Sequence, residues 1–228
     1  ILSAPTLIDE FSIAPLVDSL RTVDEPLEVA GRWQVSLDDR GRDYESQLVG
    51  IAGLRAASEG NDPSKAWPSL EAALERAWGF PVSQELPKHR VLTRLLPLIP
   101  LIAPANARVA LLGTAVGRVS NPATPISPLG RNEVLVSVVV SAGNAACGLG
   151  ALGLLSDTVD DVEHAWTPRD PAHWWRHLEA LNRVVVALRA YGADGEPLLD
   201  RVATLVQEVP LAMLSHSSDQ AGHLCAAT

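Results

Sequence analysis

The sequence predicts a mainly α fold: a single helical domain with a minor β element near residues 27–40. Three observations carry that expectation. Apolar residues recur at three- and four-residue spacing through much of the chain, the pattern of helices buried on one side. Prolines stand at candidate helix starts, as in Asp170-Pro171 and Glu196-Pro197, where a missing N–H costs no hydrogen bond. Breakers divide the periodic stretches, at Glu59-Gly-Asn-Asp-Pro63 and at Gly192.

In chain order, residues 6–22 place Leu7, Phe11, Leu16 and Leu20 at helical spacing, and Pro15 divides them into two short pieces. Around Trp33-Gln-Val-Ser-Leu37 apolar and polar residues alternate, followed by the turn signal Asp38-Asp-Arg-Gly41, so a short strand and turn are expected. From Asp43 to about Ser58 the period is helical, with Leu48, Ile51, Ala52 and Leu54 on one side. The next helix is capped by Ser64, carries Trp67, Leu70, Leu74 and Trp78, and ends at Gly79 and Pro81. In the apolar stretch 88–103, Pro97 and Pro100 predict a helix to about Leu96 and then an extended, buried segment. Val109 to Val119 reads as helix or strand.

Residues 120–132 contain Pro122, Pro125 and Pro128. They divide the chain into an N-terminal helical half, 1–120, a Pro-rich loop or seam, 121–132, and a C-terminal helical half, 133–228. For 133–155 two readings compete. Val134 to Val140 is β-branched enough for a strand at 133–140. Ser137, Ser141, Asn144, Gly148 and Ala151 instead give a helix a narrow small-residue face, which tips the balance toward helix. Helices follow from Pro171 to the stop at Gly192, and from Glu196 toward Pro210 with Leu198, Val202, Leu205 and Val206 on one face.

Composition excludes several classes of function. Hydrophobic residues make up 47% of the 228 and charged residues 20%, enough apolar matter for a core. A net charge of −9 with no basic run argues against nucleic-acid binding, which needs cationic groups to meet phosphates. The charge-free run from Val134 to Leu155 is long enough to span a bilayer, but its serines, Asn144 and glycines favour burial inside the protein. Cys147 and Cys225 are the only cysteines and form no CxxC pair. Reduced thiols and the absence of a basic n-region before an apolar stretch predict a cytoplasmic protein. The chain starts at Ile1 without methionine, which reads as a trimmed or processed product.

The richest chemical signal is the crowding of His164, His173, His177, His216 and His223 in the last third of the chain. His173 and His177, four apart on a predicted helix, suit two ligands of one divalent metal, Zn or Fe. Asp160, Glu163, His164 and His216 are candidates to complete the site, with Glu163 also a candidate acid–base residue. The motif is not HExxH, because Trp174 follows the first histidine. Asp157-x-x-Asp160-Asp161-x-Glu163 resembles the Asp-rich runs that hold Mg²⁺ against diphosphates, without the second run or the basic cluster those sites use. Asn144-Ala-Ala-Cys147-Gly-Leu-Gly resembles the nucleophile region of condensing enzymes, which would make Cys147 an acyl-transfer nucleophile.

Three functions follow as expectations. The first is a helical metal-dependent enzyme acting on a small molecule through the His/carboxylate site. The second is a non-catalytic subunit or interaction module of a larger assembly, with a protein partner and room for oligomerisation. Its support is the apolar Pro-punctuated stretch 91–104 and Trp residues able to anchor an interface. Trp174 and Trp175 offer flat surface for a pocket wall or a partner. The third is a thiol-dependent acyl transferase using Cys147.

Overall fold

The structure, a computed structural model, describes residues 13–60, 62–79, 85–143, 150–165 and 171–207. Among the described residues every regular element is helical. The chain divides into two compact units, 1–111 and 112–228.

The first unit contains α1 (Ala14–Arg21), α2 (Pro26–Asp38), α3 (Asp43–Ser58), a 3₁₀ turn over Pro63–Ala66, α4 (Trp67–Trp78) and α5 (Glu85–Leu95). A 3₁₀ turn over Leu96–Leu98 leads into the short α6 (Ile99–Ile102). α7 (Ala105–Ser120) crosses the division between the units. At the centre lies α3, which packs against α1, α2, α4 and α5. From Ser46 to Ala56 all of its residues are buried except Gly50 and Arg55. Leu16, Val17 and Leu20 of α1, Ala30, Trp33 and Leu37 of α2, and Val49, Ala52 and Ala56 of α3 form one apolar cluster. Each fully buried large aliphatic side chain contributes roughly 1.5–3 kcal/mol to such a core. Gly53 lets α2 and α3 close together: a Cβ there would meet the Ala30 Cβ at 2.6 Å.

The second unit contains α8 (Pro128–Ala142), α9 (Ala151–Ala165), α10 (Pro171–Leu188), a 3₁₀ segment over Arg189–Gly195, and α11 (Glu196–Gln207). α10 packs on α8, α9 and α11, while α9 also meets α8 and α11. Val134 and Val138, Leu155 and Val159, Leu181 and Val184, and Val202 fill the interior between them. The chain turns from α10 into α11 through Gly192, whose φ of 56° and ψ of −130° suit a residue without Cβ.

Ahead of α8, residues 121–127 form a loop inside the second unit. Pro122 and Pro125 cannot donate hydrogen bonds, so this backbone is short of N–H groups. Arg131 supplies them. Its Nη1 donates to the Val119 carbonyl at 2.8 Å, its Nε to Ile126 at 3.2 Å, and its Nη2 reaches Thr124 at 3.1 Å, with Asn121 and Pro122 at 3.3 Å each. Ser127 caps α8, its Oγ accepting from the Gly130 N–H at 3.1 Å, and Pro128 occupies the first turn.

Four expectations need correction. The β element near 27–40 is helix α2. Trp33, Val35 and Leu37 do alternate, but the helix buries Ala30, Trp33 and Leu37 on α3 and leaves Val35 61% exposed. The strand at 133–140 is likewise helix, within α8. The expected extended segment after Leu96 is a 3₁₀ turn followed by α6, because Pro97 and Pro100 each sit in a first turn, where proline is tolerated. Ser64 does not cap α4: it lies in the preceding 3₁₀ turn, and its Oγ donates to Asp62 Oδ1 at 2.6 Å. Among the described residues no helix is long and apolar enough to cross a membrane.

Candidate binding groove

α10 carries both His173 and His177, so the two positions share one helix at i and i+4. Their side chains, and residues His216, His223, Cys147 and Cys225, lie outside the described residues. His164 is exposed in the last turn of α9, where its Nδ1 donates to the Asp160 carbonyl at 2.8 Å. The Asp160 and Glu163 carboxylates both hold Arg201 of α11, at 2.6 and 2.5 Å from its Nη2. The hydrogen bonds that Arg201 donates to Asp160 and then to Glu163 raise its pKa above the ordinary arginine value. These two carboxylates, three apart on one face of α9, thus join two helices. Among the described residues no group of three or more His, Cys, Asp and Glu side chains is placed to hold a metal ion.

A site of different chemistry lies in the first unit. α1, α3 and the end of α5 enclose a groove of about 470 Å³. Ile13, Ala14, Val17, Ile51, Pro97 and Leu98 line it with apolar surface, and Arg21, Arg55, Arg94 and Asp18 supply the polar groups. Val17, Ile51 and Leu98 are core residues at 5%, 2% and 1% exposure, so the floor is rigid, while the Arg21 and Arg55 side chains at the rim are each 46% exposed. Asp18, Arg21 and Arg55 are drawn together around Glu59. Arg21 binds Glu59 in bidentate fashion, Nε to Oε2 at 2.6 Å and Nη2 to Oε1 at 2.9 Å, and reaches Asp18 through Nη1 at 2.6 Å. Arg55 joins the same Glu59 carboxylate through Nε at 3.2 Å. Arg21 hydrogen bonding holds the Glu59 carboxyl below the usual glutamate range, with Arg55 adding to it against a desolvation cost.

Arg21 and Glu59 also border a second hollow, of about 850 Å³, with acidic walls from Asp24, Glu25, Glu28 and Asp62. A hydrogen bond with Glu28, together with its charge, raises the Glu25 pKa above the usual range. Arg21 therefore borders both the basic-rimmed apolar groove and the acidic hollow, while Glu59 borders the hollow.

The chain matches no protein-family model. No curated protein and no solved structure matches it either.

The sequence reading missed the groove because no contiguous motif encodes it. Its residues come from three segments, and each apolar one also satisfies an ordinary core pattern. One trace was available: Arg55 interrupts the otherwise buried run of α3, and an arginine in that place must reach solvent along the helix edge.

Proposed function

We propose that this protein is a non-catalytic interaction module whose N-terminal unit receives an apolar group in the α1–α3–α5 groove. The observation that carries the reading is the groove itself, a rigid floor of Val17, Ile51 and Leu98 with polar groups confined to a few positions. A concave, mostly apolar site of this volume is what small ligands and anchoring side chains occupy. The test uses Nile red, a neutral solvatochromic dye. Its emission should rise and shift to the blue with the wild-type chain. Ala14→Trp, which fills the groove from an exposed position, should abolish that response while leaving the far-UV circular dichroism unchanged. A dye response equal in both proteins would overturn the reading.

A second reading is a metal-dependent enzyme acting on a small molecule, supported by the placement of His173 and His177 on one helix. Under this reading His164 and His216 remain candidate ligands, while Asp160 and Glu163 must leave Arg201 to take part. Metal analysis of the purified protein is expected to find stoichiometric Zn or Fe, lost in the His173→Ala/His177→Ala double variant. An unchanged metal content in that variant would sink it.

A further inference from the structure

We propose that the groove binds a medium-chain monocarboxylate, its alkyl chain along Val17, Ile51 and Leu98 and its carboxylate between Arg21 and Arg55. The inference rests on the interaction-module reading and adds the chemistry of the ligand. The groove is polarised along α1. Ile13 and Ala14 form its apolar end, and Arg21, about 12 Å away at the rise of an α-helix, marks its cationic end. What that end binds is already visible inside the protein: two guanidinium groups converge on the one carboxylate of Glu59. Glu59 borders the acidic hollow and is absent from the groove lining, so it takes the arginines from the far side.

Donors remain for a second carboxylate. Arg55 engages Glu59 through Nε alone, leaving its Nη fork, and its side chain is 46% exposed. Arg21 uses one hydrogen on each of its three nitrogens and retains two. Arg21 and Arg55 thus face the groove with donor hydrogens left over from Glu59 and Asp18, on a chain of net charge −9. A single anionic head and a single apolar body match this one-ended arrangement. A helical peptide would need anchors spread over two or more turns with matching pockets, and the apolar floor here is three side chains, Val17, Ile51 and Leu98, beside an α1 of 8 residues.

The experiment is displacement of Nile red from the full chain by decanoate, with 1-decanol and an acidic amphipathic peptide as competitors. Decanoate is expected to displace the dye at about one tenth the concentration of 1-decanol, the separation expected for one charge-assisted contact. Arg55→Gln should raise the decanoate concentration needed about tenfold relative to that of 1-decanol measured on the same variant. Glu59→Gln releases both arginines and should lower it about threefold, a direction that simple damage to the fold would not produce. Equal competition by decanol and decanoate, no effect of Arg55→Gln, or stronger competition by the peptide would each overturn the proposal while the dye still binds. Loss of all dye binding in the wild type would remove the interaction-module reading with it.

Discussion

Gly53 and Gly117 are both helical glycines, yet the structure gives them opposite substitution signs. A Cβ on Gly53 would meet the Ala30 Cβ at 2.6 Å, whereas one on Gly117 would meet nothing within 4 Å. Gly53→Ala must therefore push α2 from α3, and its expected cost is about 1–3 kcal/mol. Gly117→Ala removes backbone freedom from the unfolded chain and is expected to stabilise by about 0.5–1 kcal/mol. Thermal melts of the two variants check both signs. Asp38 supplies a pH-dependent counterpart. Burial raises its pKa, but hydrogen bonds from Arg76, at 2.7 Å, and Ser46 outweigh that and hold it below the usual aspartate range. A depressed carboxylate contributes stability at pH values above its unfolded pKa, and that contribution disappears as pH falls through the folded value. Acid titration of wild type and Asp38→Asn should therefore converge in the region below the ordinary aspartate range. A constant gap between them down to the lowest pH would contradict the assignment.

Helix by helix, the elements whose starts carry their own chemistry were legible. Pro171 and Glu196-Pro197 open α10 and α11 in the sequence and in the structure, and Asp43 to Ser58 matches α3. α2 was misread because period-two and period-3.6 patterns both place apolar residues at 33 and 37, and only burial distinguishes residue 35. The corrected assignment makes an asymmetric prediction. Trp33→Ala should cost about 3–5 kcal/mol, while Val35→Lys should change stability by less than about 0.5 kcal/mol. Chemical denaturation of both variants decides it, since a strand with one buried face would treat the two positions alike. Between α9 and α11, Arg201 and its two carboxylates are all more than a third exposed. Solvent screening limits the pair, so Arg201→Ala should cost at most about 1 kcal/mol in denaturant melts.

For the whole molecule, a mainly helical architecture was readable because each helix advertises its buried stripe locally. The sequence sets two helical halves about a Pro-rich seam at 121–132, and the two compact units of the structure are 1–111 and 112–228. The division at Leu111 and Leu112 falls inside the continuous α7, with no proline or glycine cluster to mark it. The groove stayed hidden for the same reason, since it depends on which distant segments meet. Two compact units predict that calorimetric unfolding departs from a single two-state transition, with a van't Hoff enthalpy below the calorimetric one. Equality of the two enthalpies would mean that the units melt together. The clasp of Arg131 over residues 119–126 bears on how the native protein meets proteases. Surface loops are ordinarily where nicking enzymes gain entry, because the backbone must unfurl into their clefts. Here Arg131 ties down carbonyls along the stretch, beside the Thr124 hydroxyl on the Arg118 carbonyl at 2.6 Å, so thermolysin should spare 121–127 in the intact chain and cut there faster in Arg131→Ala.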